Sequence, residues 1–587
     1  MIRIVSLRKA AAAGAAAAIA WEIVLRGLDW AGFPLFDVVR SLGTLAFPDG
    51  PDAAWWAVGM IGHLLVGALW AIFYAYFFWS WFDWRPPVQG MVFALLPAAL
   101  ASFLVVPQVE LMHRASSIVE VSPATFLQAL SWREAAGILV GHLIFGAVMG
   151  AIYVRPVGYA DERPPRPAKP RSGRAAERQR PRRVPNVRGF MFATGIECSY
   201  PTIEGGRWRR DQMHATGHYR RWAEDLELAR EVGVTHLRYG PPLHLIWQAP
   251  GRYDWTLVDE VMADLEAWGP EPIVDLCHFG LPSWLGDFQN SEAPQALAEY
   301  AGAFAERYGW VRFYTPVNEM YVCGRLSALD GGWNEQREDD GAFVSAIRNM
   351  ARASVSMTDC VLRQRPDAVF VNSESGEYYQ PCCPDPEIQA LAEFENERRF
   401  LPLDLLYAHE VSEKMRQHLR EQGMADEEYR WFMERQVPRR TVLGVDYYEW
   451  NEKLIDHEGQ SRALGELFGW YVIASHYYQR YGRPMMHTET NRLDARDGPR
   501  WLWRQWHNVQ LMRRAGVPLV GFTWYSLIDQ VDWDIALTRA LGNVNPVGLY
   551  DLNRDVRPVG LAYKNLIETH RDVAELADCP AVAELLA

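Results

Sequence analysis

Phe313-Tyr314-Thr315-Pro316-Val317-Asn318-Glu319 reads as a short apolar strand that ends by presenting an amide and a carboxylate at its tip. Further along, Pro484-Met485-Met486-His487-Thr488-Glu489 has the same form, a second strand closing on a carboxylate. Two carboxylates at two strand ends are what glycoside cleavage needs: one protonates the leaving oxygen while the other attacks the anomeric carbon or activates water. The dipeptide alone decides little, because Asn-Glu occurs four times, at Asn318, Asn334, Asn396 and Asn451. Only Asn318-Glu319 sits at the end of an apolar strand with a matching partner.

The surroundings supply the fold. Strand-like segments fall at 190–196, 234–239, 272–278, 311–317, 368–373, 441–447, 484–488 and 517–524. Amphipathic helices alternate with them at 219–231, 256–267, 295–308, 343–364, 463–480, 500–515 and 560–574. This rhythm predicts a (β/α)8 TIM barrel over 189–587, whose strand tips converge on one face. The longest insertion, 376–440, falls between the fifth and sixth strands. Polar and aromatic residues gather at strand ends: Arg238, His278, Asn318-Glu319, Tyr447-Tyr448, Thr488-Glu489 and Trp524.

Residues 1–155 differ in kind. Four apolar stretches, near 9–27, 54–80, 88–112 and 135–154, approach or exceed the roughly 20 residues that span a bilayer. They predict an all-α membrane domain of four transmembrane helices. Gly62-His63-Leu64-Leu65-Val66-Gly67-Ala68 returns as Gly141-His142-Leu143-Ile144-Phe145-Gly146-Ala147, so the second and fourth spans read as copies. Gly67/Ala71 and Gly146/Gly150 are small pairs that let helices approach closely. His63 and His142 are intramembrane ionisable groups, which either bind a haem or lipid head group or hydrogen-bond across the bundle. The scarcity of acidic residues in the spans, Glu22 apart, argues against a proton-driven transporter. Residues 156–188 form a basic Pro/Arg-rich linker, expected to be an extended tether held near anionic lipid. Arg3, Arg8 and Lys9 precede the first span, and Arg155 and the linker follow the fourth, so both ends and the barrel are expected on the cytoplasmic side of a bacterial inner membrane.

The net charge of −13 averages over these unlike parts and gives no reason to expect nucleic-acid binding. Seven irregularly spaced cysteines argue against a disulfide framework and fit a reducing compartment. Cys382-Cys383 lacks a CxxC spacing or a neighbouring histidine cluster. No metal or cofactor is therefore expected, and nothing in the sequence indicates an oligomeric state.

The barrel residues resemble the family 1 glycoside hydrolases, the β-glucosidase family, over about 189–570. His218-Tyr219-Arg220-Arg221-Trp222-Ala223-Glu224-Asp225 matches that family's H-Y-x-R-[YW]-x-E-D helix. Gly233-Val234 with Leu237-Arg238 resembles its second strand, and His278-Phe279-Gly280-Leu281-Pro282 its H-[WF]-D-L-P. Thr315 to Met320 resembles T-F-N-E-P, and Gly444-Val445-Asp446-Tyr447-Tyr448 resembles G-[IV]-N-Y-Y. Thr488-Glu489, Gly521 to Trp533 and Gly548-Leu549-Tyr550 complete the series in order. The resemblance implies that Glu319 is the acid/base and Glu489 the nucleophile of a retaining reaction. It also implies that Arg238 and Tyr448 support Glu489, and that His278, Asn318, Asp532, Trp524 and Trp533 bind the sugar.

Departures fall in the sugar shell. Thr490-Asn491 replaces Asn-Gly, Tyr525 stands where the family has Trp (with Trp524 one place earlier), and Asp532 replaces Glu. The family's Q-x-E-G appears as Thr202-Ile203-Glu204-Gly205, so Glu197 is expected in the Gln role. The expectation is a membrane-anchored retaining β-glycosidase acting on a soluble glycoside or a glycolipid among membrane lipids. A membrane transglycosidase with a lipid acceptor and a non-catalytic sugar sensor are the alternatives.

Overall fold

The computed structural model describes residues 2–3, 7–31, 37–46, 51–78, 86–101, 132–153, 189–573 and 579–586. The expected linker, 156–188, lies outside them. Apart from Leu541–Asn543, the chain divides at Val157/Gly158 into two compact units.

The first unit is helical: α1 (Leu7–Trp30), α2 (Val38–Ala46), α3 (Asp52–Phe77), α4 (Pro86–Leu100) and α5 (Trp132–Ile152). Helix α1 packs on α3 and α5, α2 on α3, and α4 on α5. Glycines set the two closest crossings. A Cβ added to Gly14 would lie 2.2 Å from the Gly67 carbonyl oxygen, and one added to Gly146 would lie 2.2 Å from that of Gly90. The duplicated Gly67 and Gly146 therefore do the same work in α1/α3 and in α4/α5, as close-packed small residues do in membrane helices. Two stretches are long and apolar enough to span a bilayer, Lys9–Leu28 and Asp52–Phe77. Pro86–Leu100 and Ala136–Ile152 are apolar but shorter. Residues 102–112 of the expected third span lie outside the described residues.

The second unit is the barrel. Its strands are β1 (Met191–Gly195), β2 (His236–Tyr239), β3 (Glu271–Asp275), β4 (Phe313–Thr315), β5 (Val369–Ser375), β6 (Thr441–Asp446), β7 (Met485–His487) and β8 (Leu519–Trp524). Each pairs in parallel with the next, and β8 closes on β1 through Gly521 opposite Met191. Helices α6 (His218–Val232), α7 (Thr256–Trp268), α8 (Ala293–Arg307) and α9 (Asp340–Gln364) alternate with the early strands. After the insertion helix α10 (Pro386–Arg398) come α11 (Gly469–Tyr481), α12 (Gly498–Arg514) and α13 (Pro558–His570).

The period-2 alternation of strands divides the core into two layers. Met191, Ala193, Ile273, Phe313, Val371 and Val520 form an apolar cluster with Ala581, Val582 and Leu585 of the C-terminal helix α14 (Pro580–Leu586). Phe190 and Phe192 instead join the larger core that includes residues of the surrounding helices. The H-Y-x-R-W motif proves to be scaffold: His218 Nδ1 lies 2.8 Å from Asp225, which also receives Arg554 at 2.7 Å.

Candidate active site

Glu489 follows β7 and projects toward the tip of β2. Arg238 Nη1 donates to its Oε1, and the Tyr448 hydroxyl donates to Oε2 at 2.6 Å. Both carboxylate oxygens are thus engaged. Arg238 is fully buried and extends the network, donating to both Asp275 oxygens at 3.1 and 3.2 Å and to Asn318 Oδ1 at 2.7 Å. Removing one partner from a buried pair of this kind costs about 3–5 kcal/mol, so the network is also a structural anchor.

Glu319 sits four residues beyond the end of β4. Its backbone has φ +38°, the left-handed region that β-carbon-bearing residues rarely occupy. Its N–H donates to the Ser373 carbonyl at 3.0 Å, and helix Met320–Gly324 begins immediately after it. This over-determined turn holds a strained residue at the tip of a strand, where strain and function often coincide. Glu319, Glu489 and Asp446 each contribute a carboxylate oxygen to a buried group whose members all lie within 4.8 Å. Burial, then the Asp446, Glu489 and Glu374 carboxylates, hold the Glu319 carboxyl well above the ordinary range, the direction a proton donor needs. Asp446 is likewise raised by burial and by Glu489, against the pull of Arg238 and of the Thr488 and Ser373 hydrogen bonds. Burial pushes Glu374 up to about 8.

A cavity of about 720 Å³ opens above these groups, lined by Glu197, His278, Glu319, Tyr448, Glu489 and Trp533 among the residues expected from the sequence. Glu197 accepts from the Ser199 N–H at 3.0 Å and from Gln530 Nε2 at 3.0 Å. His278 lies just past β3, with Nδ1 3.3 Å from Cys198 Sγ and Nε2 3.3 Å from Asn318 Nδ2. Asn318 is outside the cavity lining and links Arg238 to His278. Trp450 stacks on Tyr448 at 5.0 Å, extending the aromatic wall. Arg325, Glu377, Glu395 and Lys453 add a charged stretch to the lining.

Besides Asn318, two more expected sugar contacts, Trp524 and Asp532, do not line the cavity. Trp524 is the last residue of β8, buried in the outer core, and its indole N–H donates to the Val547 carbonyl at 3.0 Å. Strand alternation turns Tyr525 the other way, with its ring 5.4 Å from the Arg238 guanidinium and stacked 6.5 Å from His278. Gly195 makes room for it, since an added Cβ would lie 2.1 Å from that ring. Asp532 is fully buried in an ion pair with Arg210. Asp446, Asp275, Gln530 and Trp450 were not singled out from the sequence. Asp446 was within reach, because it stands where G-[IV]-N-Y-Y has an amide.

Residues 206–464 match the Glycosyl hydrolase family 1 model. Beta-glucosidase A of Thermotoga maritima is 23% identical over 398 residues, covering 61% of this chain and 87% of that protein. A 1,4-beta-D-glucan glucohydrolase of Thermotoga neapolitana is 21% identical over 392 residues, covering 61% and 88%. The structure of the T. maritima beta-glucosidase in complex with glucoimidazole superposes with a TM-score of 0.54 at 19% identity, over 65% of this chain and 98% of that one. That likeness shows a shared fold. The family match and the curated relatives, which are similar to the barrel at low identity, mark it as a glycosidase domain.

Proposed function

We propose that the barrel is a retaining β-glycosidase working through a covalent intermediate on Glu489. The observation that carries this is the carboxylate spacing. One oxygen each of Glu319 and Glu489 lie within 4.8 Å of one another, short of the roughly 6.5–9.5 Å that admits the water of an inverting site and on the side of the roughly 5–5.5 Å spacing of retaining pairs. Glu489 attacks the anomeric carbon as the C–O bond to the aglycone breaks, and the Glu319 proton passes to the departing oxygen. Water then attacks the same carbon, giving its proton to Glu319 and releasing Glu489. Arg238 and Tyr448, each donating to one oxygen of Glu489, hold its carboxylate in place and aim it. His278, Glu197, Gln530 and Trp533 hold the sugar, while Asn318 orients His278.

The relatives named as glucosidase and glucohydrolase support a β-linked neutral hexose as substrate. The charged stretch supports a polar aglycone or acceptor, and transfer to a lipid-linked acceptor is the second outcome of the same intermediate. The test is incubation with a panel of 2-deoxy-2-fluoro glycosides, followed by peptide mass spectrometry. An adduct on the peptide containing Glu489 and retained product configuration by NMR are expected; inversion sinks the reading.

We further propose that the N-terminal unit spans a membrane as two duplicated helix pairs, with the basic flanks cytoplasmic. Leu65, Leu69 and Phe77 are exposed while Gly14, Gly67, His63 and Gln89 are buried, the pattern of a lipid-facing surface. Protease added outside intact spheroplasts should leave the barrel whole; external digestion reverses the orientation.

A further inference from the structure

Outside the catalytic cavity, two strands of the inserted segments bring together residues the sequence holds far apart. Tyr378–Pro381 runs parallel to Glu452–Ile455, with Pro381 opposite Ile455. The ladder continues one bond further, the Cys382 N–H donating to the Ile455 carbonyl at 2.9 Å. Both chains then leave the sheet at the same place. One leaves as Cys382-Cys383; the other leaves as the turn Asp456–Gln460 leading into the antiparallel strand Ser461–Ala463. That turn is fixed by Asp456, whose side chain accepts from the Glu458 and Gln460 N–H groups at 3.1 and 2.8 Å.

Its second residue is His457, with Nδ1 3.6 Å from Cys383 Sγ; Cys382 Sγ and Cys383 Sγ are also 3.6 Å apart. All three donor atoms lie within 4.8 Å of one another. A tetrahedral Zn²⁺ with bonds of about 2.3 Å to sulfur and about 2.0–2.1 Å to nitrogen needs sulfurs about 3.8 Å apart and sulfur–nitrogen edges near 3.6 Å. The sulfur–sulfur edge and the Cys383–His457 edge meet this within a few tenths of an ångström, and the Cys382–His457 edge is within 4.8 Å. A disulfide requires about 2.05 Å between sulfurs, and both cysteines are free. Two thiolates and an imidazole are soft donors that select Zn²⁺ or Cd²⁺ over Mg²⁺ or Ca²⁺.

We infer that Cys382, Cys383 and His457 form a three-ligand site for a thiophilic divalent cation, with a fourth position open to water. Binding releases the thiol protons and ties the two inserted strands together. The hairpin that carries His457 continues through Gly459, Gln460 and Ser461, which line the cavity. The ion is therefore a clip behind the cavity wall, held by residues other than the reacting carboxylates.

The full-length protein, reduced, stripped with a chelator and desalted, is titrated with Cd²⁺ while the ultraviolet thiolate-to-metal absorption is followed. Zn²⁺ is then added in competition. One equivalent of Cd²⁺ should develop the band and Zn²⁺ should remove it. Cys383→Ser should abolish the band, and His457→Ala, on an exposed turn, should weaken binding without unfolding the chain. Cys360→Ser serves as the control and should bind like the parent. Alkylation of Cys382 and Cys383, read by peptide mass, should slow in the presence of Zn²⁺. Absence of a band at stoichiometric Cd²⁺, a band surviving Cys383→Ser, or unchanged affinity in His457→Ala overturns the assignment.

Discussion

In the barrel, tryptophans, tyrosines and phenylalanines fill the interior, and outside the carboxylate cluster buried charges are paired, as Arg238 is with Glu489 and Asp275 and Arg554 with Asp225. In the N-terminal unit the order is turned around. Alanines and glycines occupy the helix crossings, with His63, Gln89, His142 and Glu22 buried beside them, while Leu65 and Leu69 are 61% and 66% exposed. A water-soluble core has to hide apolar area, whereas a bundle in lipid gains nothing by hiding leucine and relies on close backbone approach. On the membrane reading proposed above, the two halves follow one principle in two solvents.

The sharpest test of the barrel half is Glu489→Gln, which keeps the shape of the carboxylate but removes the nucleophile. Turnover and fluoro-glycoside labelling should both vanish, measured as burst and steady-state release of a chromogenic aglycone. Glu319→Gln should lower kcat/KM by about 10²–10⁴-fold for poorly activated leaving groups. Aryl leaving groups that need no protonation should be affected less, and an equal loss on both classes would break the acid/base assignment. For the N-terminal half, Leu69→Asp separates lipid from water. In a bilayer it costs about 2.5–3.5 kcal/mol of insertion free energy, against about 0.5 kcal/mol or less on a soluble surface. Reporter tags on the flanking loops measure that difference. The smallest effect is expected of Asp446→Asn. Three crowded carboxylates cannot all ionise, so removing one lowers the pH at which Glu319 gives up its proton. The alkaline limb of the kcat/KM profile should move down by roughly one pH unit, with activity at acidic pH retained.

All eight barrel strands were readable in the sequence, because each is a short apolar run bounded by a helix of different period. Ends were less so: His278 was expected inside the third strand and lies past Asp275, where the chain has already left the sheet. That Glu319 and Glu489 come together was readable because strand tips converge whatever the loops do. The sugar shell was not, since it depends on which side of β8 a residue falls and on which partner reaches it first. Trp524 and Tyr525 exchange roles by one step of alternation, and Asp532 is taken by Arg210 from a loop far away in sequence. Cys382-Cys383 looked inert for the same reason: His457 reaches them only through a parallel pairing of two insertions.

The duplicated helices carry one further consequence. If α1/α3 and α4/α5 descend from one hairpin, their crossing glycines, Gly14 and Gly90, mark equivalent points. Counting the same distance along each helix, Glu22 of the first copy corresponds to Ala98 of the second, and Trp21 to Pro97. The first copy gives His63 a carboxylate partner at 3.0 Å, while His142 of the second turns back to its own helix at Ile138, 2.8 Å away. The two crossings match in their glycines and differ in their side chains: His63 faces a carboxylate and His142 a backbone carbonyl, so the two histidines are not interchangeable.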